Sequence, residues 1–155
     1  MDHTLYLRRA IALAKLAREH GNHPFGALLV GQNGEVVLEA ENTVNTERDA
    51  TGHAETNLVR NASKRFDKGI LEQVTLYTST EPCAMCSGAI YWTGITRVVY
   101  ALSEVGLIEL TGSNDENPTM QLPCREVLTR GQRPIEIIGP LLEEEARLVH
   151  EGFWR

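Results

Sequence analysis

His53-Ala54-Glu55 and Pro82-Cys83-Ala84-Met85-Cys86 are the two stretches that decide the interpretation of this chain. A structural zinc site is normally closed by four protein ligands, whereas a catalytic zinc site has three and leaves the fourth position to water. The two stretches together provide three such ligands and one carboxylate that is not needed as a ligand. We therefore predict one zinc ion per chain, bound by His53, Cys83 and Cys86, with Glu55 beside it.

Both stretches lie where a helix is predicted to begin. Apolar residues fall at helical intervals from His53 to Phe66, and the segment from Ala84 to Trp92 predicts a second, short helix. Residues two apart in a regular helix differ by about 200° around its axis, so His53 and Glu55 face one point only if the first turn is irregular. At the second helix, the positive amino end favours thiolates.

The other elements are predicted from apolar spacing and from turn residues. Asn33-Gly34 between two apolar stretches is a strong signal for a hairpin. The expected order of elements is helix (4–20), hairpin (27–31 and 36–40), helix (53–66), strand (74–78), helix (84–92), strand (97–101), a long loop, strand (135–138) and helix (141–153). It predicts an α/β protein with one domain over residues 1–155, a three-layer α/β/α sandwich around a central mixed five-stranded sheet.

Composition narrows the class of protein and of substrate. Hydrophobic residues make up 42% of the 155 residues, and charged residues 23%, as in ordinary globular proteins. The net charge is −6, and no basic cluster predicts binding to nucleic acid, which favours a small-molecule substrate. The apolar runs are too short to cross a membrane, and the first residues lack a secretion signal. With an odd count of three cysteines, these features predict a cytoplasmic protein.

The third cysteine leaves another interpretation open. Cys124 as a fourth ligand would close the zinc site, and the chain would then be a non-catalytic binding module stabilised by zinc. It follows Pro123 in a region without a histidine or cysteine companion, so an ordinary buried thiol is the other interpretation. A closed zinc site does not need the Glu55 carboxylate. Glu55 therefore discriminates between an enzyme and a binding module.

These motifs resemble those of the cytidine deaminase superfamily. The H-x-E and P-C-x-x-C pattern is that of the zinc-dependent base deaminases. Further matching residues are Asn42 and the segments 24–27 (Pro-Phe-Gly-Ala), 80–82 (Thr-Glu-Pro) and 87–90 (Ser-Gly-Ala-Ile). The chain is most similar to the branch that contains guanine deaminases, cytosine deaminases and tRNA adenosine deaminases.

The resemblance implies zinc-dependent hydrolytic deamination of an amino-substituted nucleobase or nucleoside. Glu55 would move protons from water to the ring nitrogen and to the departing ammonia. Guanine or a related purine is favoured over cytosine, and editing of adenosine to inosine in tRNA is the alternative. The Phe-Asp-Asp stretch of guanine deaminases and the basic carboxy-terminal helix of tRNA editors are both absent.

The resemblance also implies where the substrate binds. Asn42 would bond the base, Phe25 would form a wall, the backbone near Cys83 and Ala54 would orient the amino group, and Asn114 or Asp115 would contact exocyclic groups. Trp92 stands where guanine deaminases have an aromatic residue. A turn asparagine, a core phenylalanine and a solvated polar loop are the plain alternatives. Relatives are typically homodimers, so we expect a homodimer, and Phe153-Trp154 either closes over a site or docks on its own core.

Overall fold

The computed structural model describes residues 2–112 and 114–154. Short turns connect most of its helices and strands, and a longer loop follows the fifth helix. The elements in chain order are α1 (His3–Glu19), β1 (Gly26–Val30), β2 (Val36–Glu41), α2 (Ala54–Arg65), α3 (Lys68–Leu71), β3 (Thr75–Thr80), α4 (Ala84–Thr93), β4 (Arg97–Leu102), α5 (Glu104–Thr111), α6 (Cys124–Leu128), β5 (Glu136–Ile138) and α7 (Glu143–Leu148).

The five strands form one mixed sheet in the order β2-β1-β3-β4-β5. β1 runs antiparallel to both β2 and β3, and the predicted hairpin between β1 and β2 is confirmed. β3, β4 and β5 are parallel to one another. Every residue of β1 and β3 is buried, which is expected of strands covered on both faces.

Helices cover both faces of this sheet, which confirms the predicted three-layer α/β/α architecture. One buried cluster joins residues of α1, α5 and α7 to the sheet, and includes Leu7, Leu28, Tyr77 and Leu107. The cluster on the other face joins residues of α2, α3, α4 and α6 to the sheet. None of the described helices is long and apolar enough to cross a membrane.

Two helices occupy the region that was predicted as a long loop, so that prediction was wrong. α5 has only eight residues and contains Gly106, which weakens its helical signal. A Cβ at Gly106 would lie 2.7 Å from a side-chain carbon of Leu102, so the glycine allows the helix to pack closely on β4. Ser103 caps α5 by accepting the backbone N–H of Gly106. The last helix, α7, is also shorter than predicted.

The residues after α7 fold back onto α1 and the start of β1. Arg18 donates hydrogen bonds to the carbonyl oxygens of Val149 and Glu151 at 2.9 and 2.7 Å. His150 is buried, packs edge-on against Phe25, and accepts a hydrogen bond from the indole N–H of Trp154 at 2.9 Å. The carboxy-terminal turn is therefore part of the packed structure.

We predict that Gly26→Ala lowers the free energy of unfolding by roughly 1–3 kcal/mol, because there is no room for its methyl group. A Cβ there would lie 2.6 Å from the backbone nitrogen of Ala14 and 2.7 Å from the carbonyl oxygen of Ala10, both in α1. Gly69→Ala is the control, since a Cβ at Gly69 has nothing within 4 Å. Chemical denaturation of the two variants measures the difference, and equal stabilities would contradict the prediction.

We also predict that His150 makes the stability depend on pH. Burial, with the nearby Arg18, lowers the pKa of His150 to about 4, below the value near 6.5 of an unfolded chain. Neutral His150 therefore contributes stability that is fully present above about pH 6.5 and is lost as the pH falls toward 4. His150→Phe should lose less stability than the wild type between pH 7 and pH 4.5 in denaturation experiments. An equal loss would show that another group is responsible.

Candidate metal centre and active site

One histidine and two cysteines converge at the edge of the sheet where β3 ends. Nδ1 of His53 lies 3.5 Å from Sγ of Cys83 and 3.6 Å from Sγ of Cys86. All three ligand atoms lie within 4.8 Å of one another, and no other such group of histidine, cysteine and acidic residues occurs within residues 2–112 and 114–154. These side chains are thus placed to bind one metal ion.

The starts of two helices position these ligands. His53 is the N-cap of α2 and Cys83 the N-cap of α4, and both have extended backbone conformations. Because the regular helix begins only at the next residue, His53 and Glu55 are not held at helical angles to each other. The departure from helical geometry that the sequence required is therefore present at this helix start.

The donor set fits zinc. The hydrogen bond from Cys86, followed by that from His53, lowers the pKa of Cys83 to about 4. Donation to Cys83, together with burial, raises the pKa of Cys86. These opposite shifts favour a thiolate at Cys83, and a bound metal ion would release the proton of Cys86. Two sulfurs and one imidazole nitrogen suit zinc, and three protein ligands leave a position open.

Glu55 lies in the first turn of α2, buried beside the metal ligands. Burial, with a contribution from the charge of Cys83, raises the pKa of Glu55 to about 7. Near neutral pH its carboxyl group can therefore both accept and return a proton, which is the requirement for a general acid and base.

The metal ligands and Glu55 open into a cavity of about 500 Å³. Five of the residues that line it are acidic, and none of the described lining residues is a lysine or an arginine. The polar lining comes from the ends of β3 and β4, from the loop before α2 and from the loop after α5. The lining residues are His23, Phe25, Asn42, Val44, Ala50, His53, Glu55, Thr80, Glu81, Cys83, Met85, Glu104, Leu107, Asp115, Glu116, Asn117, Pro118, Thr119 and Met120.

Three of the residues expected to bind substrate line this cavity: Phe25, Asn42 and Asp115. Asn42 is 1% exposed, and its side-chain oxygen accepts the backbone N–H of Val44 at 3.0 Å. Its own backbone N–H donates to the carbonyl oxygen of Phe25. These bonds hold Asn42 and Phe25 in fixed positions, whereas Asp115 is exposed on the loop.

The other three expected residues are not among the cavity-lining residues. Ala54 is buried in the core as the first residue of α2. Trp92 is 78% exposed near the end of α4. It comes six positions after Cys86, which places it about 240° further around a regular helix. Asn114 accepts the backbone N–H of Glu116 within the loop.

Phe153 and Trp154 dock on their own chain. The Phe153 ring lies 5.9 Å from that of His23, and the Trp154 ring lies 6.2 Å from that of Phe25. His23 and Phe25 both line the cavity, so the terminal aromatic residues lie behind its wall. The simpler of the two interpretations, a helix end docked on its own core, agrees with this packing.

Three residues that line the cavity were not predicted from the sequence: His23, Glu104 and Glu116. His23 is buried and its Nε2 lies 3.3 Å from the Glu116 carboxylate, which joins the loop after α5 to the start of β1. Glu104 follows the carboxyl end of β4 by two residues. An acidic residue directly after a parallel strand was the available signal for Glu104, because ligands bind at the carboxyl ends of such strands.

Cys124 is not placed to complete the metal site. Its thiol is buried outside the three-ligand group. Burial and the nearby Glu81 raise the pKa of this thiol, so it stays protonated. Glu81 instead accepts the backbone N–H groups of Cys124 and Glu104, at 2.7 and 2.9 Å. Of the two interpretations of Cys124, the structure agrees with the ordinary buried thiol.

This zinc-ligand set with an adjacent free carboxylate, on this fold, is the arrangement of the zinc-dependent deaminases. Residues 1–102 match the family described as "Cytidine and deoxycytidylate deaminase zinc-binding region". The chain belongs to this family, and it is a zinc-dependent hydrolytic enzyme that acts on a C–N bond.

Similar proteins carry three different substrate names. A probable cytosine deaminase of Schizosaccharomyces pombe is 48% identical over 150 residues, which cover 96% of this chain and 90% of the relative. Guanine deaminase of Bacillus subtilis is 41% identical over 110 residues, 70% of each chain. Its solved structure superimposes with a TM-score of 0.65 and 34% identity, over 96% of this chain and 92% of that chain. A tRNA-specific adenosine deaminase of Bacillus subtilis is 35% identical over 151 residues, 97% of this chain and 88% of the relative.

We predict that Cys124→Ala keeps one zinc ion per chain, whereas Cys86→Ala loses it. Only the second variant removes a thiol from the three-ligand group. Metal content of protein purified without chelator, measured by inductively coupled plasma mass spectrometry, tests both. Loss of zinc from folded Cys124→Ala protein would restore the binding-module interpretation.

Proposed function

We propose that this protein deaminates a free nucleobase, with cytosine and guanine as the candidate substrates. The observation that carries the proposal is the convergence of the three metal ligands and the buried Glu55 on one cavity. The similarity to a probable cytosine deaminase and to a guanine deaminase supports both bases.

The charge and size of the cavity favour a small substrate without phosphate. Five acidic residues and none of the described lysines or arginines line it, so the lining offers no such cation to pair with a phosphate group. A cavity of about 500 Å³ has room for a single base or a small nucleoside. Similarity to tRNA adenosine deaminases keeps an anticodon stem-loop as the substrate to test if free bases fail.

The residues of this chain have separate tasks in the proposed reaction. Zinc, when bound by His53, Cys83 and Cys86, supplies Lewis-acid activation of water. Glu55 takes one proton from the attacking water and delivers it to the ring nitrogen. It then takes the remaining proton from the new hydroxyl group on the ring carbon and delivers it to the departing amino group, as that carbon becomes a carbonyl. Water and the amino-substituted ring thereby become ammonia and the corresponding carbonyl compound. Asn42 and Phe25 position the ring from the fixed wall of the cavity.

The remaining sequence predictions stay predictions. They are the homodimer, the single domain over residues 1–155, the cytoplasmic location, and the base contacts of Ala54, Trp92, Asn114 and Asp115.

We predict that Glu55→Gln lowers kcat by at least about 10²-fold, because the amide cannot carry the proton. Zinc content and thermal stability should stay close to those of the wild type, since Glu55 is not a ligand. The measurement is ammonia release by zinc-loaded protein from guanine, cytosine, adenine and their nucleosides. Glu47→Gln, in the exposed part of the loop before α2, is the matched control. Turnover by Glu55→Gln at the wild-type rate would exclude the proposed proton carrier.

A further inference from the structure

Glu104 is a buried acid whose carboxyl group has no role in the hydrogen bonding of the described chain. It is the first residue of α5, is 4% exposed, and lines the same cavity as Glu55 and the metal ligands. Both of its carboxyl oxygens are buried and have no hydrogen-bond partner among the described residues. Buried polar groups in proteins are nearly always hydrogen-bonded, and leaving one without a partner lowers stability.

Several other polar oxygens in this part of the cavity already accept hydrogen bonds. The two oxygens of Glu81 accept backbone N–H groups, and the side-chain oxygen of Asn42 accepts that of Val44. Glu116 pairs with His23. Among these groups, Glu104 has its hydrogen-bonding capacity left for something that enters the cavity.

A second polar group with the same property lies beside it. Thr80 also lines the cavity, and its hydroxyl oxygen is buried without a partner in the described part of the chain. Thr80 pairs with Leu102 across the parallel strands β3 and β4, two residues before Glu104. The carboxyl ends of two adjacent parallel strands thus present a hydroxyl and a carboxyl group together, at the edge of the sheet where ligands commonly bind.

We propose that Glu104, with Thr80 beside it, is a specificity-determining residue that accepts a hydrogen bond from a ring N–H of the substrate. This assignment rests on the proposed function. A carboxyl oxygen accepts such a hydrogen bond whether or not the group carries a proton. Free cytosine and free guanine have a ring N–H at the nitrogen that carries the sugar in the nucleoside. The substrate class is therefore the unsubstituted base, and glycosylated or N-alkylated bases are rejected.

The experiment compares bases that differ only in this N–H. The probes are cytosine with 1-methylcytosine and guanine with 9-methylguanine, with kcat/KM measured for zinc-loaded wild type, Glu104→Leu, Glu104→Gln and Thr80→Val. For the wild type, methylation should lower kcat/KM by at least about tenfold, the cost of leaving a buried acceptor without its hydrogen bond. Glu104→Leu should have a lower kcat/KM for the free base. Its kcat/KM values for the methylated and unmethylated bases should then differ by less than threefold. Glu104→Gln should discriminate between the bases less than the wild type and more than Glu104→Leu, because its amide oxygen still accepts a hydrogen bond.

Thermal stability separates a binding role from a structural one. Since Glu104 makes no side-chain hydrogen bond within the described chain, Glu104→Gln should leave Tm and zinc content equal to or above those of the wild type. The control is Glu126→Gln, an exposed glutamate on α6, which should change neither Tm nor discrimination. If Glu104→Leu does not fold, the specificity role is tested by Glu104→Gln and Thr80→Val, through their discrimination between methylated and unmethylated bases.

The outcomes distinguish the two proposals. A wild type that deaminates no base overturns the proposed function and the Glu104 assignment with it. A wild type that deaminates a base, with discrimination unchanged in folded Glu104 and Thr80 variants, overturns the Glu104 assignment alone. A fall in Tm with unchanged discrimination would show that Glu104 has a structural role, and it would also overturn the Glu104 assignment alone.

Discussion

The site depends on one constraint, which is that the amino ends of α2 and α4 must meet beside the end of β3. His53 and Cys83 are the N-caps of these helices, and their ligand atoms lie 3.5 Å apart. Both helices pack through Leu58 and Ile90 into the same buried cluster on one face of the sheet. Packing therefore places the ligands beside one another, and the positive helix ends favour thiolate at the cysteine sulfurs.

The cavity combines groups that are fixed with groups that are free. Glu81 connects the starts of α5 and α6 to the end of β3 through two backbone hydrogen bonds, and Asn42 is held by Val44. Glu104 and Thr80 are buried without partners in the described chain. A buried carboxyl without partners is a cost to folding, and such costs are typical of residues kept for a ligand. The fixed groups keep the cavity in shape, and the free ones are available to recognise what enters it.

Local signals in the sequence were enough for most of the fold. Helical spacing predicted α1, α2 and α4, and Asn33-Gly34 predicted the hairpin. α5 and α6 were missed because each is short, and because Gly106 in α5 is there for close packing against Leu102, which no local pattern reveals. Trp92 illustrates the same limit, since its position relative to the cavity depends on how α4 is turned against the sheet.

The sequence alone determined the metal chemistry, because the ligand types and their spacing around Pro82 are covalent properties of the chain. It also determined the layered fold, since apolar periodicity follows from the geometry of each helix and strand. Only the tertiary structure decided which acids are buried in the cavity. Burial and hydrogen-bond partners depend on contacts between distant segments, so nothing local distinguishes Glu104, which is buried and unpartnered among the described residues, from Asp115, which is exposed on its loop.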